Sequence, residues 1–410
     1  MRSGGVMTIG VSRFVSWSWS WMMRLWFRLD AVAHPFMKPQ RGITIVAHVS
    51  GAWSFGKAMR DLAWRLRAVG IPCQVFNSGL RRTIPRQDYS SLLTSWWAFR
   101  VRKYDHVIEI DKSLFPSLRG IKKSTVFFWE FEDGVLEAWP QMKEVSSVVA
   151  MSDFNARVFR RALPETDVRK ILYPFMFDAG SLESPHLVRS RYGIPPDAFV
   201  VFFNFSYSSG CGRKNPHGLL RAFAQAFRDV QDAWLVFKTQ GKASSPDRVA
   251  ELKRLSEDSG VANRVLTLDL YLSQNDLYAL TNACDVYASL HRGEGFGLGV
   301  AEAMSLGKAV VVSDCSSTTE FCNTENSIPI PCHPVSVVKT LNRFDKLPGV
   351  EMWPDPDVGV AAAALRRLYD DQRLRNRLGD AAKRSMAEHF SAKSFRQSVD
   401  AFLARENGIT

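Results

Sequence analysis

Two carboxylates, Glu294 and Glu302, bracket a glycine-rich turn that contains Gly295, Gly297 and Gly299. Seven residues separate them, and the second sits in an Ala-rich segment that reads as the start of a helix, followed by a buried strand at Ala309–Ser313. Glycine lets a backbone approach a ligand closely and adopt positive φ. A helix start offers unpaired N–H groups and a positive dipole end to an anion. Acidic groups beside such a phosphate cradle suit the hydroxyls of a ribose or a sugar. The block therefore describes a pocket for a sugar nucleotide.

A second cluster, Cys211-Gly-Arg-Lys-Asn-Pro216, supplies the opposite charge. Asn215 suits an N-cap and Pro216 a first helical position, with Leu219, Leu220, Phe223 and Phe227 as the buried stripe. Arg213 and Lys214 then precede a helix N-terminus, where a planar fork and a point charge meet phosphate oxygens; the alternative is a solvated basic turn. Lys238 follows the strand Trp234–Phe237 and faces either the same cleft or solvent. Gly51-Ala-Trp-Ser-Phe-Gly56 joins a strand to a helix, as a diphosphate loop or simply a tight turn. Its spacing is not GxGxxG and no acidic residue ends the next strand, which argues against an NAD site.

The elements that must position these groups alternate. Ile43–Val49, Cys73–Phe76, His106–Ile110, Thr125–Trp129 and Ser147–Met151 read as buried strands of one α/β unit, with an amphipathic helix over Lys57–Val69. Phe199–Phe205, Ala233–Lys238, Val265–Leu268, Asp285–Leu290 and Ala309–Ser313 read as strands of a second unit. Pro174–Pro196 and Ser336–Pro356 read as irregular, and helical patterns at Val358–Tyr369 and Ala392–Ala404 close the chain. Strand–helix alternation implies parallel sheets with helices on both faces. Ligands of such sheets bind outside the carboxyl ends of the strands, where both the Gly51 loop and Glu294 fall.

At 410 residues the chain exceeds one typical core, so two domains are expected. Apolar content of 46% fits a globular protein. The six cysteines show no CxxC or zinc spacing, with Cys315 and Cys322 a chance near pair, and the simplest reading is a reduced intracellular protein. Charge is uneven: residues 1–103 hold 16 Lys/Arg against 3 Asp/Glu, and the rest hold 37 against 38. The basic quarter suggests an anionic partner. Its first segment interleaves Trp17, Trp19, Trp21 and Trp26 with Arg13, Arg24 and Arg28, too often interrupted for a membrane span and suited to the bilayer interface. A start at Met22, Met23 or Met37 is the alternative. Nucleic-acid binding is disfavoured, since no recognised module accompanies the basic quarter.

The Glu294–Glu302 spacing, the Arg213-Lys214 pair, the Gly51 loop and the closing helices resemble the family 4 retaining glycosyltransferases. So do Phe128-Trp-Glu-Phe-Glu132, Ser152-Asp-Phe154 and Trp353-Pro-Asp-Pro-Asp357, which are similar to segments of bacterial surface-polysaccharide enzymes. The resemblance runs from about Ile43 onward and implies the GT-B fold: two Rossmann-like α/β domains facing across a cleft. The implied layout is a basic Trp-rich segment (1–40), an acceptor-side domain (41–178 plus 391–410), a linker (179–196) and a donor domain (197–390).

By that resemblance Glu302 would hold ribose hydroxyls and Glu294 would orient the transferred sugar. Phe296, Gly297 and Leu298 would lend backbone N–H groups, while Gly51, Arg213, Lys214 and Lys238 would serve the diphosphate. Neither metal nor cofactor is implied, because cations already stabilise the leaving group; Asp355-Pro-Asp357 matches a metal motif only as letters. Many family members place a His after the strand His106–Ile110, where this chain has Asp111. Asp111, Glu130 or Glu132 is then the candidate at the reacting centre, with His291 a further candidate or a structural histidine. The implied activity is retaining transfer of a hexose, mannose first, from a nucleotide sugar to a lipid-linked or growing surface glycan. Its implied location is the cytoplasm, peripheral to the inner face of an anionic membrane. The alternatives are a GT-B sugar-nucleotide epimerase and a non-catalytic GT-B scaffold.

Overall fold

A computed structural model of the chain describes residues 40–47, 54–77, 104–110, 122–337 and 348–404. The basic segment, the Gly51 turn and Asp111 lie outside them. The described residues form two six-stranded parallel sheets and one antiparallel strand pair.

The first sheet contains β1 (Gln40–Ala47), β2 (Cys73–Asn77), β3 (Tyr104–Ile110), β4 (Lys122–Val126), β5 (Ser147–Ala150) and β6 (Asp167–Lys170), in the order β2-β1-β3-β4-β5-β6. The second contains β7 (Phe199–Ser206), β8 (Ala233–Gln240), β9 (Val265–Asp269), β10 (Val286–Ser289), β11 (Ala309–Ser313) and β12 (Ile328–Ile330), in the order β12-β11-β10-β7-β8-β9. All five residues of β11 are buried, as helix-covered parallel strands require. From β9 the chain crosses back to β10 on the other side of β7. That reversal makes β7/β10 a topological switch point, where a crevice opens at the strand ends.

Three segments depart from the sequence reading. The strand expected over Thr125–Trp129 ends at Val126. Beyond it, Asn155 takes the place of a strand partner: its Nδ2 donates to the Trp129 carbonyl at 2.6 Å, and its Oδ1 accepts from Trp129 N at 3.4 Å. Phe128–Glu130 are thereby led to the second sheet. Ser336–Pro356 is not simply irregular, because β13 (Cys332–Ser336) and β14 (Met352–Pro356) pair antiparallel, Pro334 opposite Pro354. Two strands alone present free edges, where proline costs no ladder bond. Within Pro174–Pro196 a helix, Pro185–Tyr192, is capped by Ser184 and ended by Gly193. It shows no stripe because Val188 alone is buried, while Arg189 bonds the carbonyls of Ala283 and Ala198 and the Asp285 carboxylate.

Among the elements the sequence reading did not name are β6, β12 and the helix Gln372–His389, whose Leu374, Leu378, Ala382 and Met386 make a buried i,i+4 stripe between charges. The last helix, Ala392–Ala404, returns to the first sheet. Leu172 N donates to Ser398 Oγ at 3.1 Å, and Arg396 donates to the Val69 carbonyl at 2.7 Å. Aromatic rings join the two units. Tyr173 stacks on Phe296 with ring centroids 3.6 Å apart, and Phe296 meets Phe390 edge-on.

Candidate active site

A cavity of about 560 Å³ lies between the units. Its walls are Lys57, Phe128, Glu130 and Tyr173 from the first unit, and the ends of β7, β8 and β10 with the Glu294–Glu302 block from the second. It occupies the crevice that the switch point predicts.

Asn215 caps the helix Pro216–Phe227 by accepting from Gly218 N at 3.0 Å, as the sequence suggested, and its Nδ2 donates to the Leu290 carbonyl at 2.9 Å. The turn before it is thus tied to the end of β10. This holds Arg213 and Lys214 against Glu294. Lys214 Nζ is ion-paired with Glu294 Oε1, and Arg213 stands 3.6 Å from Oε2. Arg213 also donates to the Gly293 carbonyl at 2.7 Å and lies 3.5 Å from Glu130 Oε1 across the cleft. These are not solvated basic side chains.

Burial raises the Glu294 carboxyl, but Lys214 and Arg213 outweigh it and hold the group at about 2. Burial lowers Lys214, Glu294 raises it and Arg213 lowers it again, for a net fall. The two partners thus pull in opposite directions. Two cations converging on one carboxylate account for this: Glu294 is fully ionised, while Lys214 shares its counter-ion with Arg213. Lys238 adds a third cation. Nearly fully buried, it lines the cavity rather than facing solvent, and burial brings it down to about 8. These three cations face Glu294, Glu130 and, near Lys238, Asp269.

Glu302 occupies the opposite end. Gln274 Nε2 donates to its Oε1 at 3.0 Å, and burial pushes its carboxyl up to about 7. Between the two acids, Gly297 takes φ 92°, and a Cβ there would overlap Thr318. No side chain caps the helix Leu298–Ser305 that starts here, so its first N–H groups open toward the cavity that Gly297, Leu298 and Gly299 line. Glu294 N donates to Ser316 Oγ at 2.9 Å, and Ser317 N donates to the Glu294 carbonyl at 3.3 Å. A Cβ on Gly293 would overlap the Glu130 carbonyl, so glycine there lets the two units close.

Arg213, Lys214, Lys238, Glu294, Phe296, Gly297, Leu298, Glu302 and Glu130 therefore surround one cavity. Glu132 does not join them; it pairs with Arg157 at 2.6 Å on the surface. His291 also stands apart from the lining. It is fully buried between Ser289 Oγ at 3.1 Å and Thr318 Oγ1 at 3.3 Å, and burial lowers it to about 4. Asp355 accepts from Arg292 Nε at 2.6 Å. Among the described residues no group of three or more His, Cys, Asp or Glu is placed to hold a metal.

Sequence reasoning missed Lys57, Tyr271, Gln274 and the hydroxyls of Ser206, Ser208 and Ser244, all on the cavity wall. Tyr271 stands at its rim, 82% exposed. The strand-end rule alone would have found Ser206, which ends β7.

Residues 201–344 match the family model described as glycosyl transferases group 1. A similar curated protein is the serotype-specific mannosyltransferase WbdA of Escherichia coli, 31% identical over 153 residues, which are 36% of this chain and 17% of WbdA. Another is the lipopolysaccharide core biosynthesis glycosyltransferase LpsD of Rhizobium meliloti (strain 1021), 26% identical over 54% of this chain and 52% of LpsD. The chain thus spans about half or less of the length of these relatives. A solved glycosyltransferase from Rickettsia africae superposes with a TM-score of 0.66 at 13% identity, covering 90% of this chain and all of that one. Anabaena HepE, solved with UDP and glucose, gives 0.61 at 17% identity over 89% of this chain and all of that one. The fold is the two-domain GT-B α/β arrangement shared with these glycosyltransferases.

Proposed function

We propose that this chain is a glycosyltransferase of surface-glycan or lipopolysaccharide assembly, moving a hexose with retention from a nucleoside diphosphate sugar to a lipid-linked or growing glycan. The observation that carries this reading is the order of charge along the cavity. The cationic cradle of Arg213, Lys214 and Lys238 lies beside the open helix start at Gly297, with one acid fully ionised and the other held near neutrality. The glycosyl transferases group 1 match and the resemblance to WbdA and LpsD support the transferase class. WbdA is described as a mannosyltransferase, which supports mannose as the first sugar to test.

In this reading the diphosphate lies against Arg213, Lys214 and the helix N–H groups. These stabilise the charge that grows on the leaving oxygen as the bond from phosphate to anomeric carbon breaks. The acceptor oxygen attacks from the same face, and its proton passes to the leaving phosphate. Glu302 accepts from ribose hydroxyls. Glu294, already engaged by two cations, orients the sugar and does not attack it. Charge neutralisation by side chains supports a reaction without metal or cofactor. Glu130 and Asp111 remain the proposed acceptor-side acids.

No helix among the described residues is long and apolar enough to cross a membrane. The Trp- and Arg-rich residues 1–39 support peripheral attachment to an anionic surface from the cytoplasmic side. The test of the donor site is calorimetric titration with UDP and GDP. One of them binds the intact chain, and Lys214→Ala weakens it by about 10- to 100-fold, the worth of a charge-assisted contact. Equal binding by the variant contradicts the assignment.

A further inference from the structure

Strands β11 and β12 run parallel in a register that sets Ser313 beside Ile330, and Asp314 N donates to the Ile330 carbonyl at 2.9 Å. Two residues beyond each member of that pair is a cysteine: Cys315 after Ser313, Cys332 after Ile330. Side chains repeat every second residue along extended chain, so both thiols fall on one face of adjoining segments. Neighbouring strands lie about 4.8 Å apart, within the roughly 4.4–6.8 Å between Cα atoms that a disulfide spans. The two thiols are close enough that each is the largest influence on the other's protonation, while Cys332 Sγ lies 3.5 Å from the Ile330 carbonyl; both residues are free thiols, neither fully buried nor exposed.

Cys315 does not pair with Cys322, whose sulfur packs on Met304 Sδ at 3.5 Å. Burial pushes the thiols of Cys73, Cys284 and Cys322 up. Cys332 goes the other way: its neighbour Cys315 holds it below the ordinary thiol range against its burial, with the Ser313 side chain and the Asp314 backbone adding to this. A thiolate is the form that reacts.

Cys315 leads directly into the residues that support Glu294. Ser316 adopts φ 58°, a left-handed backbone that non-glycine residues rarely take. Its hydroxyl accepts from Glu294 N, and Ser317 Oγ donates to the Gly295 carbonyl at 2.8 Å and meets Ser152 of the first unit at 3.0 Å. Cys315 Sγ itself lies 3.7 Å from the His291 carbonyl. Drawing Cys315 into a covalent bond with Cys332 removes that contact and pulls on the residue that positions Glu294.

We propose that Cys315 and Cys332 are a redox-responsive pair whose reversible disulfide displaces the Ser316–Ser317 support of Glu294 and weakens donor binding. The regulatory half of this rests on the donor-site assignment under Proposed function. With a peroxide as oxidant, the Cys332 thiolate attacks one peroxide oxygen and the O–O bond breaks, leaving a sulfenic acid. The Cys315 sulfur then attacks the Cys332 sulfur, the S–S bond forms and the S–O bond breaks. Two thiols lose two electrons and two protons, and one peroxide becomes two waters. A dithiol reductant reverses the change.

The test uses the full chain treated with hydrogen peroxide, alkylated and digested without reduction. Mass mapping is expected to find a Cys315–Cys332 cross-linked peptide that dithiothreitol removes; absence of that peptide overturns the proposal. Calorimetry with UDP and GDP then compares reduced, oxidised and re-reduced chain. Oxidation is expected to weaken binding about fivefold or more, the low end of coupling between two sites, and re-reduction restores it. Equal binding by reduced and cross-linked chain overturns the switch. So does peroxide-induced loss of binding in Cys332→Ser, which is expected to bind as reduced wild type does. If the reduced chain binds neither nucleotide, the donor assignment and the switch fall together, while the cross-link map still decides the disulfide.

Discussion

Lys214 and Glu294, eighty positions apart in sequence, form an ion pair at the floor of the cleft, with Arg213 as a second cation on the same carboxylate. Arg213 in turn reaches Glu130 of the first unit at 3.5 Å, so the pair is one link in a chain of charges across the cleft.

Removing either partner therefore has unequal effects on the fold. Glu294→Gln leaves Lys214 beside Arg213 with only Glu130 opposite them and is expected to cost about 3 kcal/mol or more, as breaking a buried pair does. Lys214→Met leaves Glu294 still facing Arg213 and costs less, roughly 1–2 kcal/mol. Urea unfolding followed by far-UV circular dichroism reads both. A larger loss for Lys214→Met would mean that Arg213 does not share the carboxylate.

Glu302 gives the site a pH dependence. Its ordinary value of 4.5 rises to about 7 in the fold. The folded chain keeps a proton that the unfolded chain has lost, so this group's contribution to stability declines as pH rises from the first value to the second. Hydroxyl donors on a ligand need the ionised form, so nucleotide affinity is expected to move the other way, rising about tenfold from roughly pH 6 to roughly pH 8. Calorimetry across that range in wild type and Glu302→Gln checks both signs. A variant with the same slope as wild type assigns the titration elsewhere.

How much of this was legible depends on how local each signal is. The Glu294–Glu302 spacing, the Arg213-Lys214 pair and the Asn215 cap are read within a few residues; the first two line the cavity and Asn215 caps the helix that follows. Glu130 reaches the same cavity only because Asn155, 26 positions beyond Trp129, holds the Trp129 backbone outside the sheet. Burial of Lys238 comes from the close of the crevice around a strand end, which nothing near it in sequence announces. The proline-rich β13–β14 pair escaped because propensity argues against proline in strands, and two free edges lift that penalty.

The units are also clasped away from the cavity. Glu320 accepts from Asp153 N at 3.0 Å and pairs with Lys170, both in the first unit. Glu320→Ala removes the pair and the helix-start contact and is expected to loosen closure. The radius of gyration by small-angle scattering should rise, with about 1–2 kcal/mol lost on unfolding. An unchanged radius with unchanged stability would mean that the other contacts between the units, the Tyr173–Phe296 stack among them, set the closure.

Backbone strain sets a further check. Gly297→Ala places a side chain at φ 92° and against Thr318. A destabilisation of at least about 1–3 kcal/mol is expected, together with weaker nucleotide binding, because the helix start shifts. Calorimetry and urea unfolding on the one variant read both. Wild-type values for each would show that the turn has room to adapt.

Residues 1–39 are expected to drive association with vesicles containing anionic lipid, and less so with neutral ones or at high salt. Co-sedimentation of the full chain and of a chain starting at Gln40 makes the comparison. Equal sedimentation of the two removes the membrane assignment without touching the donor site.

Transfer itself is read by mass. Incubating the chain with a panel of nucleoside diphosphate hexoses, GDP-mannose among them, and lipid-linked glycan acceptors should yield one acceptor longer by one hexose. Equimolar nucleoside diphosphate should appear, and the product should be lost in Glu294→Gln. Release of the hexose or its epimer into solution with no extended acceptor, or equal product from the variant, would contradict a transferase built around Glu294.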